Sequence, residues 1–274
     1  MQMLIFGLGY TAKVVASELR ASGWTVRATG SDGDLAFADA ESVGAALTET
    51  SHVLSSVPPG ESDAVLGRYR NKLGGKWLGY LSSTGVYGDT GGAWVDESAP
   101  IGSGRRGARS EADAAWLALG ARVFRLPGIY GPERSPLDRV LAGSAHRIDS
   151  PGQVFSRVHV ADIASGVIAG LIAPPGAYNL ADNLPASQNA VIEEACRLLG
   201  REPPPLTSLE KAGLSPAARA FYLENRRVAN GKSRRVLGWR PRYPTFREGL
   251  RDLSAMISPA NATTAPVSAS SDQR

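Results

Sequence analysis

The chain opens on MLIFGLGYTAKVVASELRASG, an unbroken apolar run that gives way to glycines and then to apolar residues at helical spacing. A short apolar run without alternation fits a strand buried on both faces, the environment of a central parallel strand. Ala12, Val15, Ala16 and Leu19 mark one helix face, and Gly23 supplies the stop. TVRAT then reads as a second strand, so the chain begins with a βαβ unit. The stretch Gly7 to Ala12, GLGYTA, has the spacing G-x-G-x-x-A at the strand-to-helix turn, the context that motif needs. Gly7 permits the tight turn, Gly9 lets the backbone approach a pyrophosphate, and Ala12 lets the helix pack closely on the strand. Amides from Tyr10 through Thr11 to Ala12 would face the anion, supported by the helix dipole. Gly7, Leu8, Gly9, Tyr10, Thr11 and Ala12 are therefore the expected phosphate loop of a dinucleotide site.

The alternation continues. SVGAALTET reads as a helix, HVLSSV as a strand closed by Pro58 and Pro59, and SDAVLGRYRNKL as a helix capped by Ser62. KWLGYLSS, ARVFRLPG and AYNLA read as further strands. Between them lie a helix in SEADAAWLALG, ended by Gly120, and one in VHVADIASGVIAGLI, opened by Asp162. This rhythm predicts an α/β fold: a Rossmann-type doubly wound parallel sheet with a smaller C-terminal substrate lobe. Residues 1–132, with 156–182 returning to them, would form the dinucleotide-binding domain. Residues 133–155 and 183–257 would form the lobe. The tail 258–274, rich in Ala, Ser, Thr and Pro, has nothing to bury and is expected to be disordered.

Composition narrows the function classes. Thirty Lys and Arg against 26 Asp and Glu give a net charge of only +4, without a basic block, which argues against nucleic acid. The lone cysteine, Cys196, excludes an internal disulfide and a cysteine-based zinc site, and its apolar helical setting makes it a small buried hydrophobe. No metal site is expected. The N-terminus lacks the features of a signal peptide, and no stretch has the apolar length of a membrane span, so a cytoplasmic protein is the expectation.

The second strand bears on the choice of cofactor. An NAD site usually places an acid at its end to hold the ribose hydroxyls. In TVRATGSD that position falls near Gly30, and Asp32 comes two residues late. The missing acid leaves room for a 2′-phosphate near Ser31, which favours NADP over NAD, although Arg27 should point across the strand.

LSSTGVYGD (81–89) resembles the S-S-x-x-V-Y-G signature of the extended short-chain dehydrogenase/reductases, the NAD(P)-dependent epimerase/dehydratase type. RLPGIYGP, RVHVADIASG, AYNLADNLPAS and RVANGKSRRVLGW agree with it, so the likeness covers about residues 1–255. The resemblance implies a catalytic hydroxyl at Ser83, with Thr84 adjacent, and a pocket-lining or simply packed aromatic at Tyr87. It implies cofactor contacts from Ser82, from Leu126, Pro127, Gly128 and Ile129 on the nicotinamide side, and from Ser55, Ser56, Val57 and Pro58 beside the adenine-side ribose. His159 reads as a structural histidine orienting the next helix. Homodimerisation is common in such families.

One departure stands out. Family catalysis uses Tyr-x-x-x-Lys, the tyrosine as acid/base and the lysine as its activating cation. None of the eight tyrosines has a lysine four residues later. Where the pair is expected the chain reads GSGRRGARSEADAAW, with Arg105, Arg106 and Arg109 as weak candidates for contacting a substrate or the cofactor. An arginine can replace the lysine's charge but cannot shuttle a proton at neutral pH, so any remaining acid/base chemistry would fall to Ser83, Thr84 or Tyr87. Two readings follow. One is an oxidoreductase or epimerase-like enzyme with a rebuilt site, acting on a small hydroxyl- or carbonyl-bearing substrate such as a nucleotide sugar. The other is a non-catalytic NAD(P)-binding sensor or scaffold.

Overall fold

The apolar runs become strands whose carboxyl ends gather along one edge. The computed structural model describes residues 1–102 and 107–257; the tail 258–274, Arg105 and Arg106 lie outside the described residues. In chain order the first elements are β1 (Gln2–Phe6), α1 (Tyr10–Ala21), β2 (Thr25–Ala28), α2 (Ala40–Glu49), β3 (His52–Ser55), α3 (Ala64–Tyr69) and β4 (Trp77–Ser83). Then come β5 (Trp94–Val95), α4 (Gly107–Ala118), β6 (Arg122–Leu126), β7 (Gly128–Tyr130), α5 (Pro136–Leu141), β8 (Arg147–Ile148), β9 (Arg157–His159), α6 (Val160–Ala169) and β10 (Gly176–Asn179). The described chain ends with α7 (Gln188–Leu198), β11 (Leu206–Thr207), α8 (Pro216–Ala220), β12 (Arg227–Val228), α9 (Gly231–Val236) and α10 (Phe246–Ile257).

Six strands form one parallel sheet in the order β2-β1-β3-β4-β6-β10. The chain crosses from β2 on one side of β1 to β3 on the other, which creates the switch point where such sheets bind ligands. Each face is covered by helices. On one, α1 and α6 bury Val15, Leu19, Ile163 and Val167 against Ile5, Leu81 and Phe124. On the other, α2, α3 and α4 bury Leu47, Tyr69 and Trp116 against Leu4, Val53 and Tyr80. Each such large apolar side chain contributes about 1.5–3 kcal/mol on burial. Helices α5, α7 and α10 share a separate core around Leu137, Val191, Phe246 and Leu250, with Cys196 buried inside it. No described helix is long and apolar enough to cross a membrane.

Two helix starts differ from expectation. Asp63, not Ser62, caps α3: its carboxylate accepts from Leu66 N at 2.8 Å and from the Trp116 indole at 2.8 Å. Helix α6 is opened by His159, whose Nδ1 accepts from Ala161 N at 3.2 Å, and not by Asp162. Asp162 already lies inside the first turn. Its carboxylate is buried and accepts from the backbone N–H groups of Arg242 and Tyr243, tying α6 to the chain before α10.

Candidate cofactor and substrate site

Helix α1 starts at Gly9, with no side-chain cap and no acid in its first turn. The first amides of an α-helix have no partner within it, so those of Tyr10, Thr11 and Ala12 remain for an anion. Gly9 has φ −84°, and a Cβ built on it meets nothing within 4 Å. That open approach to the helix end is the cradle a pyrophosphate needs, and the residues present fit a dinucleotide. Gly7 and Leu8 are different. Gly7 N donates to Thr29 Oγ1 at 3.1 Å and Leu8 N to Thr29 O at 2.8 Å, so both amides are engaged. Gly7 adopts φ 84°, a conformation glycine takes without strain. These two residues shape the loop. Ser56, just after β3, braces it by donating its Oγ–H to Gly7 O at 2.7 Å. Tyr10 reaches away and donates its phenol to Pro132 O at 2.9 Å.

At the end of β2, Gly30 packs so closely on the loop that a Cβ would stand 3.0 Å from Leu8 N. The segment beyond is exposed. Lys13 pairs there with Asp32, which also bonds with Ser31, while Arg27 Nε donates to Asp34 at 2.9 Å. Lys13 thus stands beside Ser31 through Asp32, and Arg27 is matched separately by Asp34.

Strand β4 runs past Tyr80, the partner of Ser55, to Ser83, which lies level with Leu126 of β6. Ser83 is half-buried, and its Oγ accepts from Gly85 N at 3.1 Å. With that acceptor position filled, the hydroxyl keeps its proton available to donate. Thr84 is buried, at 4% exposure, so Ser83 is the hydroxyl that the strand end presents.

Ser82 and Tyr87 require correction. Adjacent strand residues point to opposite faces, and Ser82 turns toward α4, donating to Asp113 Oδ2 at 2.6 Å. Its side chain is therefore not available to a cofactor. Tyr87 is 2% exposed; its phenol donates to Asn179 Oδ1 at 2.8 Å and accepts from Arg125 Nη1 at 3.0 Å. Burial raises its pKa, and Arg125 and Asn179 oppose that rise only in part. It is a packed aromatic in a buried network, not a pocket-lining acid. Ser55 is fully buried, so its side chain cannot reach a ribose either. Leu126 is buried in the sheet core, leaving Pro127, Gly128 and Ile129 as the accessible part of that segment, while Val57 and Pro58 after β3 are likewise not buried.

Sequence reasoning missed the core of that network. Arg125 binds Asp113 side-on, with Nη2–Oδ1 at 2.7 Å and Nε–Oδ2 at 3.1 Å. Burial works against the Arg125 charge, but Asp113 and Tyr87 hold it protonated. The available signals were an aspartate on the apolar stripe of α4 and an arginine inside the strand run RVFRL.

Arg109 sits at the start of α4 and lines a cavity of about 450 Å³ with Pro58, Pro59, Gly60, Gly107 and Ala108. It faces the loop after β3. Its charge also lies near the Tyr80 phenol, whose pKa burial pushes up to about 12 against that influence.

A six-stranded parallel sheet with this order, a glycine loop at its switch point and a serine at the end of β4 define an extended short-chain dehydrogenase/reductase fold of the epimerase/dehydratase kind. Human epimerase family protein SDR39U1, solved with NADPH, superimposes with a TM-score of 0.74 at 17% identity, over 93% of this chain and 99% of its own. Solved nucleotide-sugar epimerases and dehydratases share the same fold. More particularly, the chain belongs to one family with a functionally unknown conserved protein from Silicibacter pomeroyi DSS. The two are 39% identical over 93% of this chain and 98% of the other, with a TM-score of 0.83. Among curated proteins, a 3-diazoavenalumate denitrifying reductase from Streptomyces is 30% identical over 144 residues, 48% of this chain and 46% of that protein. The chain spans about half the length of the curated relatives it matches. No protein-family model matches it.

Proposed function

We propose that this protein is an NAD(P)-dependent oxidoreductase or epimerase-like enzyme acting on a small hydroxyl- or carbonyl-bearing substrate, with NADP preferred. The observation that carries the reading is the open backbone at Gly9 before the uncapped amides of α1. Hydride would be supplied or accepted by a dinucleotide held there. Tyr10, Thr11 and Ala12 hold its pyrophosphate through their amides, and Gly7, Leu8 and Ser56 keep the loop in shape. Lys13 stands beside Ser31 through Asp32, where a 2′-phosphate would replace the aspartate as its partner. Val57, Pro58, Pro127, Gly128 and Ile129 border the crevice. Ser83 donates a hydrogen bond to the substrate oxygen on the reacting carbon, whose proton is exchanged with water. Arg109 stands where a positive charge can face the cofactor, in place of the missing lysine. The Streptomyces relative, named as a reductase, supports reductive chemistry.

Calorimetric titration with NAD, NADH, NADP and NADPH tests the cofactor reading. Tight binding of NADPH is expected, and no binding by any of the four would remove the proposal. A second reading, a sensor that binds NAD(P) without turnover, is favoured by the sequestered phenol of Tyr87. It predicts tight binding with no cofactor oxidation or reduction across a broad panel of alcohols, aldehydes and sugars.

A further inference from the structure

Arg226 comes from the chain just before β12, yet its side chain lies at the end of β4. A Cβ built on Gly85 would have Ser83 Oγ at 3.3 Å and Arg226 Nη2 at 3.9 Å as its near neighbours. The serine hydroxyl and the guanidinium therefore flank the same small space, which Gly85 leaves unfilled. The arginine is held firmly. Its Nη1 donates to Gly88 O at 2.6 Å and to Glu224 Oε2 at 2.9 Å, and its side chain is only 15% exposed. Both bonds use one nitrogen. Among the described residues no acceptor meets Nη2 or Nε, the pair of donors that forms the side-on edge of the guanidinium. That edge matches the two oxygens of a carboxylate with parallel hydrogen bonds. Glu224 and Gly88 fix its orientation beforehand, so little side-chain freedom is lost on binding.

We propose that Arg226 is a specificity-determining residue that binds a carboxylate on the substrate, next to the hydroxyl or carbonyl carbon presented to Ser83. The site then selects hydroxy acids or oxo acids over neutral alcohols, aldehydes and sugars. This rests on Ser83 marking the reacting carbon, as in the enzyme reading above.

The test uses matched acid and amide pairs: lactate and lactamide, mandelate and mandelamide, salicylate and salicylamide. Each is titrated into the full chain, with and without saturating NADPH, and followed by NMR. At least one acid should bind roughly tenfold or more tightly than its amide. Arg226→Gln should erase that preference, and Arg226→Lys, which lacks the fork, should recover only part of it. Gly85→Val provides a second route, because it fills the space beside Nη2 without touching the bonds to Gly88 and Glu224; it too should abolish the preference. The proposal falls if no acid is preferred over its amide, or if the preference survives both Arg226→Gln and Gly85→Val. Failure of the cofactor reading looks different: NADPH would not bind, while the titrations without cofactor would still decide the role of Arg226.

Discussion

Arg125 and Asp113 form a side-on ion pair in which both side chains are almost wholly buried, at 3% and 0% exposure. The pair joins β6 to α4, with Ser82 bound to the same carboxylate and Tyr87 to the same guanidinium. It stiffens the ground beneath the strand end that presents Ser83.

Removing one partner of a buried pair leaves the other charge uncompensated. Asp113→Ala should therefore destabilise the fold by about 3–5 kcal/mol. Replacing both partners, as in Asp113→Leu with Arg125→Met, should cost much less, because two desolvated charges disappear together. Urea denaturation of the three proteins measures both numbers. A loss under about 1 kcal/mol for Asp113→Ala would mean that the pair is not what holds α4 to the sheet.

The two loop glycines should separate folding from binding. Gly9→Ala adds a Cβ in open space, so stability should fall by about 1 kcal/mol or less, the ordinary cost of alanine at a helix N-cap. Cofactor affinity should fall by about tenfold or more, since that Cβ stands where the pyrophosphate approaches. Gly7→Ala should damage both, because it combines φ 84° with a Cβ placed 2.9 Å from Val57 Cγ2. Equal NADPH affinity in Gly9→Ala and the parent chain would contradict the loop assignment.

Lys13 is expected to read the 2′-phosphate. Lys13→Met should weaken NADPH by about tenfold, the loss of one charge-assisted contact, and leave NADH unchanged. Parallel titrations with the two reduced cofactors decide it; an equal loss for both would place Lys13 elsewhere on the dinucleotide.

Asp182 governs an acid-side effect. Burial raises its carboxyl pKa from 3.8 to about 7, with one oxygen bonded to Leu184 N and the other without a partner among the described residues. The folded chain therefore holds a proton there between pH 4 and 7 that the unfolded chain has released. Stability must fall as pH rises through that window, by a few kcal/mol in all. Asp182→Asn should remove this fall, so its stability advantage over the parent chain should grow from pH 4 to pH 8. Denaturation curves at a series of pH values show this directly, and a constant difference would sink the idea.

His159 works in the opposite direction. Burial lowers its pKa from 6.5 to about 4, and its Nδ1 must stay unprotonated to accept from Ala161 N. Its contribution is complete above pH 6.5 and is lost as pH falls toward 4. His159→Asn can still cap α6 and should blunt that acid loss; a melting series from pH 7 to pH 4 compares the two chains.

Legibility in the sequence followed the distance between partners. The turn from β1 into α1 was readable because Gly7, Gly9 and Ala12 stand within one turn of chain. The parallel sheet was readable because unbroken apolar runs admit few other environments. Thr29, which engages the amides of Gly7 and Leu8, was not, since its effect depends on β2 lying beside β1. Asp113, Arg125, Tyr87 and Asn179 come from four separate elements, and nothing local announces that they meet. Nothing local marks Arg226, whose place beside Ser83 depends on β12 lying against β5. The helix caps failed for a smaller reason: Ser62 and Asp63 are both good caps, and only the direction of the chain selects between them.

The short ladder between β5 and β12 fastens the chain carrying Arg226 to the chain that follows Ser83, and Asn225 O adds bonds from Thr90 N and Gly92 N. The spacing between hydroxyl and guanidinium is thus cut into the folded chain before any ligand arrives. On the proposal above, the site acts as a gauge: a molecule is measured by whether its two oxygen-bearing groups span that gap.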